Sequence, residues 1–238
     1  GGLPNLDFKL VQGNSLHNNI ENVSLELDVT INRQLELGEE VDEKSEKLIK
    51  NLKNTEKKYF NSNNPIEKKS IKDQLMQTIY DLVLITINKK KDFNPNLNFD
   101  LKNLKNQIYG LKVKNFFPWQ IYFIDVFHNN KGFDLIIGNP PWKSLLGKHN
   151  KTNESKDILK KLSDEYLVNS YMPNLYEFFL QLSNKIVTQK GVIAQIIPDR
   201  FGYNYSSKII REHFLKNNQI IEIIYNWDFP EVVADTMT

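Results

Sequence analysis

The sequence contains no cysteine. That excludes a disulfide framework and thiolate metal sites, and it fits a cytosolic protein. Histidine is scarce too: His17, His128, His149 and His213 show no metal-ligand spacing, so no metal is expected. Charge of one sign is also lacking. Lys+Arg numbers 31 against 29 for Asp+Glu, a net charge of +2. Such a balance does not announce a nucleic-acid partner, so any basic surface must be local. Apolar runs such as Leu82–Ile87 fall far below membrane-spanning length. The start shows no signal peptide. The chain opens on "GGLPNLDFKL" and ends on "VVADTMT" without a stop signal. Both ends read as cuts within a longer protein.

What is present is enough for a large core. The chain has 238 residues, 40% of them apolar, which suits one large α/β domain or a domain with an insert. "LDFKLVQGNSL" (Leu6–Leu16) alternates apolar and polar residues and then turns at Gly13-Asn14, which predicts a strand and a loop. Glu36–Lys72 holds eight acids and nine bases. Its near balance favours a solvated helical face over a DNA-contacting arm. Val41, Leu48 and Leu52, then Ile71, Leu75, Ile79 and Leu82, recur at helical spacing. They predict a helical hairpin broken near Asn61–Pro65.

Downstream, "FFPWQIYFIDVF" (Phe116–Phe127) reads as a packed aromatic connector. A strand is expected at Phe133–Ile137. Lys143–Tyr171 is polar and predicts a loop with a short helix. Leu175–Gly191 predicts an amphipathic helix closed by glycine. A strand follows at Val192–Pro198. A helix is expected at Tyr205–Asn218, capped by Ser206 or Ser207, and a last strand at Gln219–Asn226. Strands alternating with helices imply a mostly parallel sheet covered on both faces.

The segment with the clearest chemistry is "FDLIIGNPPWKSL" (Phe133–Leu145). In open α/β sheets, ligands bind beyond the carboxyl ends of strands. Each proline fixes φ and lacks an N–H. Pro140-Pro141 therefore makes a stiff loop that offers carbonyl acceptors and no donors. Asn139 adds a side-chain carbonyl. Two close acceptors suit an –NH₂ group, and Trp142 offers a flat face for a planar base, a contact worth roughly 1–3 kcal/mol in single-strand binders. An exocyclic amine is a poor nucleophile, because its lone pair is delocalised into the ring. Acceptors placed for tetrahedral nitrogen bind the transition state better than the ground state. The competing reading is a Pro-Pro turn with Trp142 in the core. Asp199 and Arg200, after the Val192–Pro198 strand, suit either a cleft or an ordinary loop salt bridge.

"GNPPW" after a hydrophobic strand resembles the catalytic motif of gamma-class, S-adenosyl-L-methionine-dependent adenine-N6 DNA methyltransferases. "NLYEFFLQLSNKIVTQKGVIAQIIPDRF" and "DFPEVVADT" are similar to segments of the Taq-type enzymes. "NLDFKLVQGNSL" and "FPWQIYFIDVF…GFDLIIGNPPW" resemble type IIG restriction-modification enzymes. The likeness covers roughly residues 3–35 and 95–238. It implies an incomplete Rossmann-like class I methyltransferase sheet with a helical-hairpin insertion: residues 1–33 as the first part of the core, 34–94 as the insertion, and 95–238 as the remainder.

The same resemblance implies site roles. Asn139 and the Pro140 carbonyl would accept from the adenine amine, within a catalytic stretch Asn139, Pro140, Pro141 and Trp142. Trp142 would stack on the flipped base, with Phe229 on its other side. Phe179 and Asn14 would hold the adenine of S-adenosyl-L-methionine. Asn14 stands where the family has an acid; its oxygen still accepts, without charge. Nothing before Leu6 supplies the glycine loop and acid that hold the cofactor's methionine end. The cofactor motifs and a target-recognition domain are therefore expected elsewhere in the same polypeptide, with double-stranded DNA as partner. By itself the chain is expected to be inactive or very weak. Methylation of RNA or of a protein glutamine, or a non-catalytic nucleic-acid-binding role, are the alternatives.

Overall fold

The computed structural model describes residues 8–20, 23–25, 43–93, 99–112, 114–146, 153–169 and 171–224. In chain order they form β1 (Asn19–Ile20), β2 (Val23–Ser24), α1 (Glu43–Asn61), α2 (Pro65–Phe93), α3 (Leu101–Ile108), α4 (Trp119–Tyr122) and α5 (Ile124–Asn130). Then come β3 (Phe133–Gly138), α6 (Asn153–Ser163), α7 (Leu175–Ile186), β4 (Val187–Gln195) and α8 (Lys208–Asn217), with short 3-10 turns at Asp199–Gly202 and Tyr205–Ser207. The architecture is mixed α/β. β1 pairs antiparallel with β2, and β3 lies beside β4. Two compact units emerge: Gly1–Leu135 with Ile186–Val192, and Ile136–Lys185 with Ile193–Thr238.

The first unit is built on the predicted hairpin. α1 buries Ile49, Leu52, Thr55 and Tyr59, a stripe three to four residues apart. α2 answers with Ile71, Leu75, Ile79, Leu82, Val83 and Ile87. The break falls where the sequence predicts it. Asn64 Oδ1 accepts from the N–H of Ile66 at 2.9 Å, so Asn64 caps α2 and Pro65 occupies its first position. The aromatic connector completes this core. Phe116, Phe117, Ile121, Tyr122 and Ile124 are buried in the same cluster. Phe133 at the head of β3 meets Trp119, Phe123 and Phe127 edge-on, at 6.0, 5.3 and 5.6 Å between centroids.

Backbones approach closely where β4 begins. Gly132 has φ +153°, and a Cβ there would lie 2.6 Å from the Ile186 carbonyl oxygen. A Cβ on Gly191 would lie 2.8 Å from the Phe133 carbonyl oxygen. Both glycines are therefore spacing devices.

The second unit packs α7 against its neighbours. Tyr176, Phe178, Leu180 and Leu182 are buried on α7, with Leu145, Leu162, Tyr166 and Ile210 from elsewhere in the unit. Tyr176 meets Phe201 edge-on at 6.0 Å.

Several expectations are corrected. α7 ends at Ile186, and Gly191 lies inside β4 rather than closing a helix. The β-branched run Val187-Thr188 starts the strand earlier than the glycine suggests. Residues 8–16 of the expected first strand form a turn and irregular chain, with Phe8 at φ 60° and Leu10 exposed. Residues 219–224 of the expected last strand are likewise irregular. Ile220, Ile221, Ile223 and Ile224 are exposed there. The sheet with β3 has two strands among the described residues, and Leu135 and Ile137 are 55% and 76% exposed, so cover on both faces is not met there. Ser207 stands at the N-cap position of α8 without a capping bond; its hydroxyl is committed to Glu177.

Two tests follow from this packing. Gly132→Ala should destabilise the protein by about 1–3 kcal/mol in chemical denaturation, because the new methyl meets backbone. The second concerns Glu56 on α1. Burial and the negative charge of Asp125 push its carboxyl up to about 7, against the opposing pull of Lys53. The folded state therefore holds a proton that the unfolded state releases near pH 4.5. Its stabilising contribution is complete below that pH and is lost as pH rises through about 7. Glu56→Gln should raise stability at about pH 8, by an amount on the order of 2 kcal/mol, and change it little at about pH 4.

Candidate functional site

β3 delivers the Asn-Pro-Pro-Trp stretch at its carboxyl end. Asn139, Pro141 and Trp142 are exposed, while Pro140 is buried and anchors the loop. One residue holds both ends. Ile196, just after β4, donates its N–H to the Gly138 carbonyl at 3.1 Å, and its carbonyl accepts from Trp142 Nε1 at 3.3 Å. The indole is thereby oriented by its polar edge. The ring remains 39% exposed, so it is not a core residue.

A second segment holds the residues that follow. Leu175 donates its N–H to the Lys143 carbonyl at 2.9 Å, and Leu145 donates to the Pro173 carbonyl at 2.9 Å. Ser144 forms an antiparallel bridge with Asn174 between them. The loop is thus tied to the chain beyond β4 on one side and to the entry of α7 on the other. Neither the Asn139 carboxamide nor the Pro140 carbonyl has a partner among the described residues. The Asn139 carboxamide and the face of Trp142 are exposed, beside the unpartnered carbonyl of the buried Pro140, an arrangement that suits a planar group bearing an amine.

Phe179 lies one turn into α7 and is partly buried, while its neighbour Phe178 takes the core position. Both belong to the second unit, as do Asn139–Trp142. Asn14 belongs to the first. Its backbone is occupied: its N–H donates to the Lys114 carbonyl at 3.1 Å, and its carbonyl accepts from the His17 N–H at 3.1 Å. Its side chain is exposed and unpartnered among the described residues. Phe229 lies outside the described residues. Asp199 and Arg200 form no ion pair among the described residues; the Asp199 carboxylate accepts from the Arg200 N–H at 2.6 Å.

Sequence reasoning missed the polar side chains beneath this loop. α7 carries Glu177 and Gln181 on its buried side, one turn apart. The Glu177 carboxylate accepts from Asn169 Nδ2 at 3.0 and 2.8 Å, from the Asn174 N–H at 3.1 Å and from Ser207 Oγ at 2.6 Å. Gln181 exchanges two hydrogen bonds with the Leu167 backbone, at 2.8 and 2.9 Å. The signal was an acid between Tyr176 and Phe178, inside an apolar helical run. Burial and the Glu177 charge push the neighbouring Tyr176 hydroxyl up to about 12, so it stays protonated.

Residues 11–230 match the Eco57I restriction-modification methylase family. The chain belongs to that family. Among curated relatives, it is 26% identical over 164 residues to "Putative type II restriction enzyme and methyltransferase RM.MjaORFECS2P" of Methanocaldococcus jannaschii, an alignment covering 66% of this chain and 13% of the relative. It is 28% identical over 115 residues to the type II restriction enzyme and methyltransferase RM.Eco57I of Escherichia coli, covering 48% of this chain and 11% of the relative. The chain thus spans about an eighth or less of these relatives' lengths. No solved structure matches it. Among the described residues no cluster of His, Asp and Glu is arranged to hold a metal, and no helix is long and apolar enough to cross a membrane. The family's methylase chemistry directs attention to the loop after β3.

Proposed function

We propose that this chain is the methyltransferase part of a cytoplasmic restriction-modification enzyme that methylates adenine N6 in DNA. The observation that carries this reading is the unpartnered pair of acceptors, Asn139 and Pro140, beside the half-exposed indole of Trp142 at the end of β3. Membership of the Eco57I family supports it.

The chemistry follows from those groups. The target adenine leaves the duplex, at a cost of a few kcal/mol. Trp142 stacks on one face of the base, and the other face is assigned to Phe229, as the resemblance implies. The Asn139 oxygen and the Pro140 carbonyl accept the two amine hydrogens. Their placement favours pyramidal nitrogen and so localises the lone pair as the new bond forms. The two prolines contribute stiffness, which keeps the acceptors in place without reorganisation.

S-adenosyl-L-methionine, when bound, supplies the methyl group as an electrophilic sulfonium. We assign its adenosine end to Asn14 and Phe179, as the resemblance implies: Asn14 has an exposed carboxamide without a partner among the described residues, and Phe179 is partly buried on α7. We place the methionine-binding motifs and the target-recognition domain elsewhere in the same polypeptide. In this reading the core is a Rossmann-like class I methyltransferase sheet, divided as 1–33 and 95–238 by a helical insertion at 34–94. The α1–α2 hairpin lies inside that insertion.

The test is transfer of labelled methyl to duplex DNA, with the chain carried in its full reading frame. Label should enter adenine-containing duplex and not a duplex in which purine, lacking the 6-amino group, replaces adenine. Asn139→Ala should lower kcat roughly a hundredfold or more. The 238-residue chain alone should be far weaker than the full frame. Label in RNA or in glutamine amides instead of DNA, or an unchanged rate for Asn139→Ala, would overturn the proposal.

A further inference from the structure

We infer that Glu177 is a positioning residue for the Asn139–Trp142 loop, acting through the chain segment that enters α7. The inference rests on the function proposed above. Glu177 is 1% exposed. No Lys, Arg or His forms an ion pair with it among the described residues. A buried carboxylate without a cation is costly unless hydrogen bonds replace the lost water. Here three neutral donors do so: the Asn169 side chain, the Asn174 N–H and the Ser207 hydroxyl. Each donor comes from a different stretch of the second unit.

What those donors are attached to gives the carboxylate its role. Asn169 is itself a hub, because its oxygen accepts from the N–H groups of Tyr171 and Met172, each at 3.0 Å. Asn174 carries the bridge to Ser144. The flanking residues Pro173 and Leu175 make the two backbone bonds to Leu145 and Lys143. Glu177 therefore fixes the short stretch of chain against which the residues after Trp142 are laid. It touches neither the base nor the cofactor in the proposed reaction. Its effect reaches the reacting amine by holding Lys143–Leu145, and with them Trp142 and the Pro-Pro pair. A loss of about 1 Å in placement is enough to cost about a hundredfold in rate.

The charge also explains why glutamine is the informative replacement. A glutamine in place of Glu177 would keep one oxygen for Asn174 and Asn169 and turn its –NH₂ toward the Ser207 hydroxyl, which can also accept. Alanine would leave the Asn174 N–H and the Ser207 hydroxyl without their acceptor, and Asn169 Nδ2 with only the Met172 carbonyl at 3.2 Å.

Amide hydrogen exchange of the 238-residue chain reads the tether directly, and methyl transfer by the full reading frame reads its effect. In Glu177→Ala, exchange at the Leu145 and Leu175 amides should rise at least about tenfold relative to Leu52 in α1. The kcat per folded molecule should fall at least about tenfold. Glu177→Gln should return both to within about threefold of the native chain. Unchanged exchange at Leu145 and Leu175, or faster exchange with unchanged kcat, would overturn the inference. If Glu177→Ala does not fold, Ser207→Ala is measured at the same amides. A severalfold rise at Leu175 is expected, and no rise counts against the tether. If the native protein transfers no methyl to adenine DNA, the proposed activity fails, while the exchange data still decide whether Glu177 holds the loop.

Discussion

The two backbone hydrogen bonds of Ile196 are the constraint on which the candidate site depends. Its N–H ends the pairing of β3 at Gly138, and its carbonyl catches the Trp142 indole four residues later. Between those two points the chain has little freedom, because Pro140 and Pro141 fix φ. A loop with both ends tied and a stiff middle can leave an exposed side chain such as that of Asn139 unpaired at modest cost, since the surface supplies water. Among the described residues, the unpaired groups are the Asn139 carboxamide and the Pro140 carbonyl. The protein thus maintains acceptors it does not itself use.

Much of this was legible from local pattern. The α1–α2 hairpin follows from apolar spacing, and its break from Asn64-Pro65, because capping and proline act within a few residues. β3 and the loop after it follow from an apolar run meeting Gly138-Asn139-Pro140-Pro141. The packed character of Phe116–Phe127 follows from aromatic density. What was not legible depends on partners distant in sequence. The β4 boundary was misplaced because Gly191 reads as a helix stop, whereas its bare Cα is required by the Phe133 carbonyl. The strands expected within Leu6–Leu16 and Gln219–Asn226 need a ladder partner, and none lies beside their described residues. Burial of Glu177 was invisible because its donors, Asn169, Asn174 and Ser207, lie up to thirty residues away.

The two units manage buried polarity in different ways. In the second, neutral donors surround the Glu177 carboxylate, and the acid becomes a junction between segments. In the first, Glu56 sits near Asp125 and Lys53 on the hairpin side, where burial raises its proton affinity. The Glu56 arrangement responds to ordinary changes of pH. The responsive group lies outside the unit that carries the Asn-Pro-Pro-Trp loop.

The paired prolines also act on the sheet itself. Past Gly138 the chain offers no amide hydrogen at two successive positions, so a regular ladder cannot continue through them. The exposed apolar side chains of Leu135 and Ile137 would otherwise invite such lengthening. The residues that hold the carbonyls in place thus also set where the sheet stops.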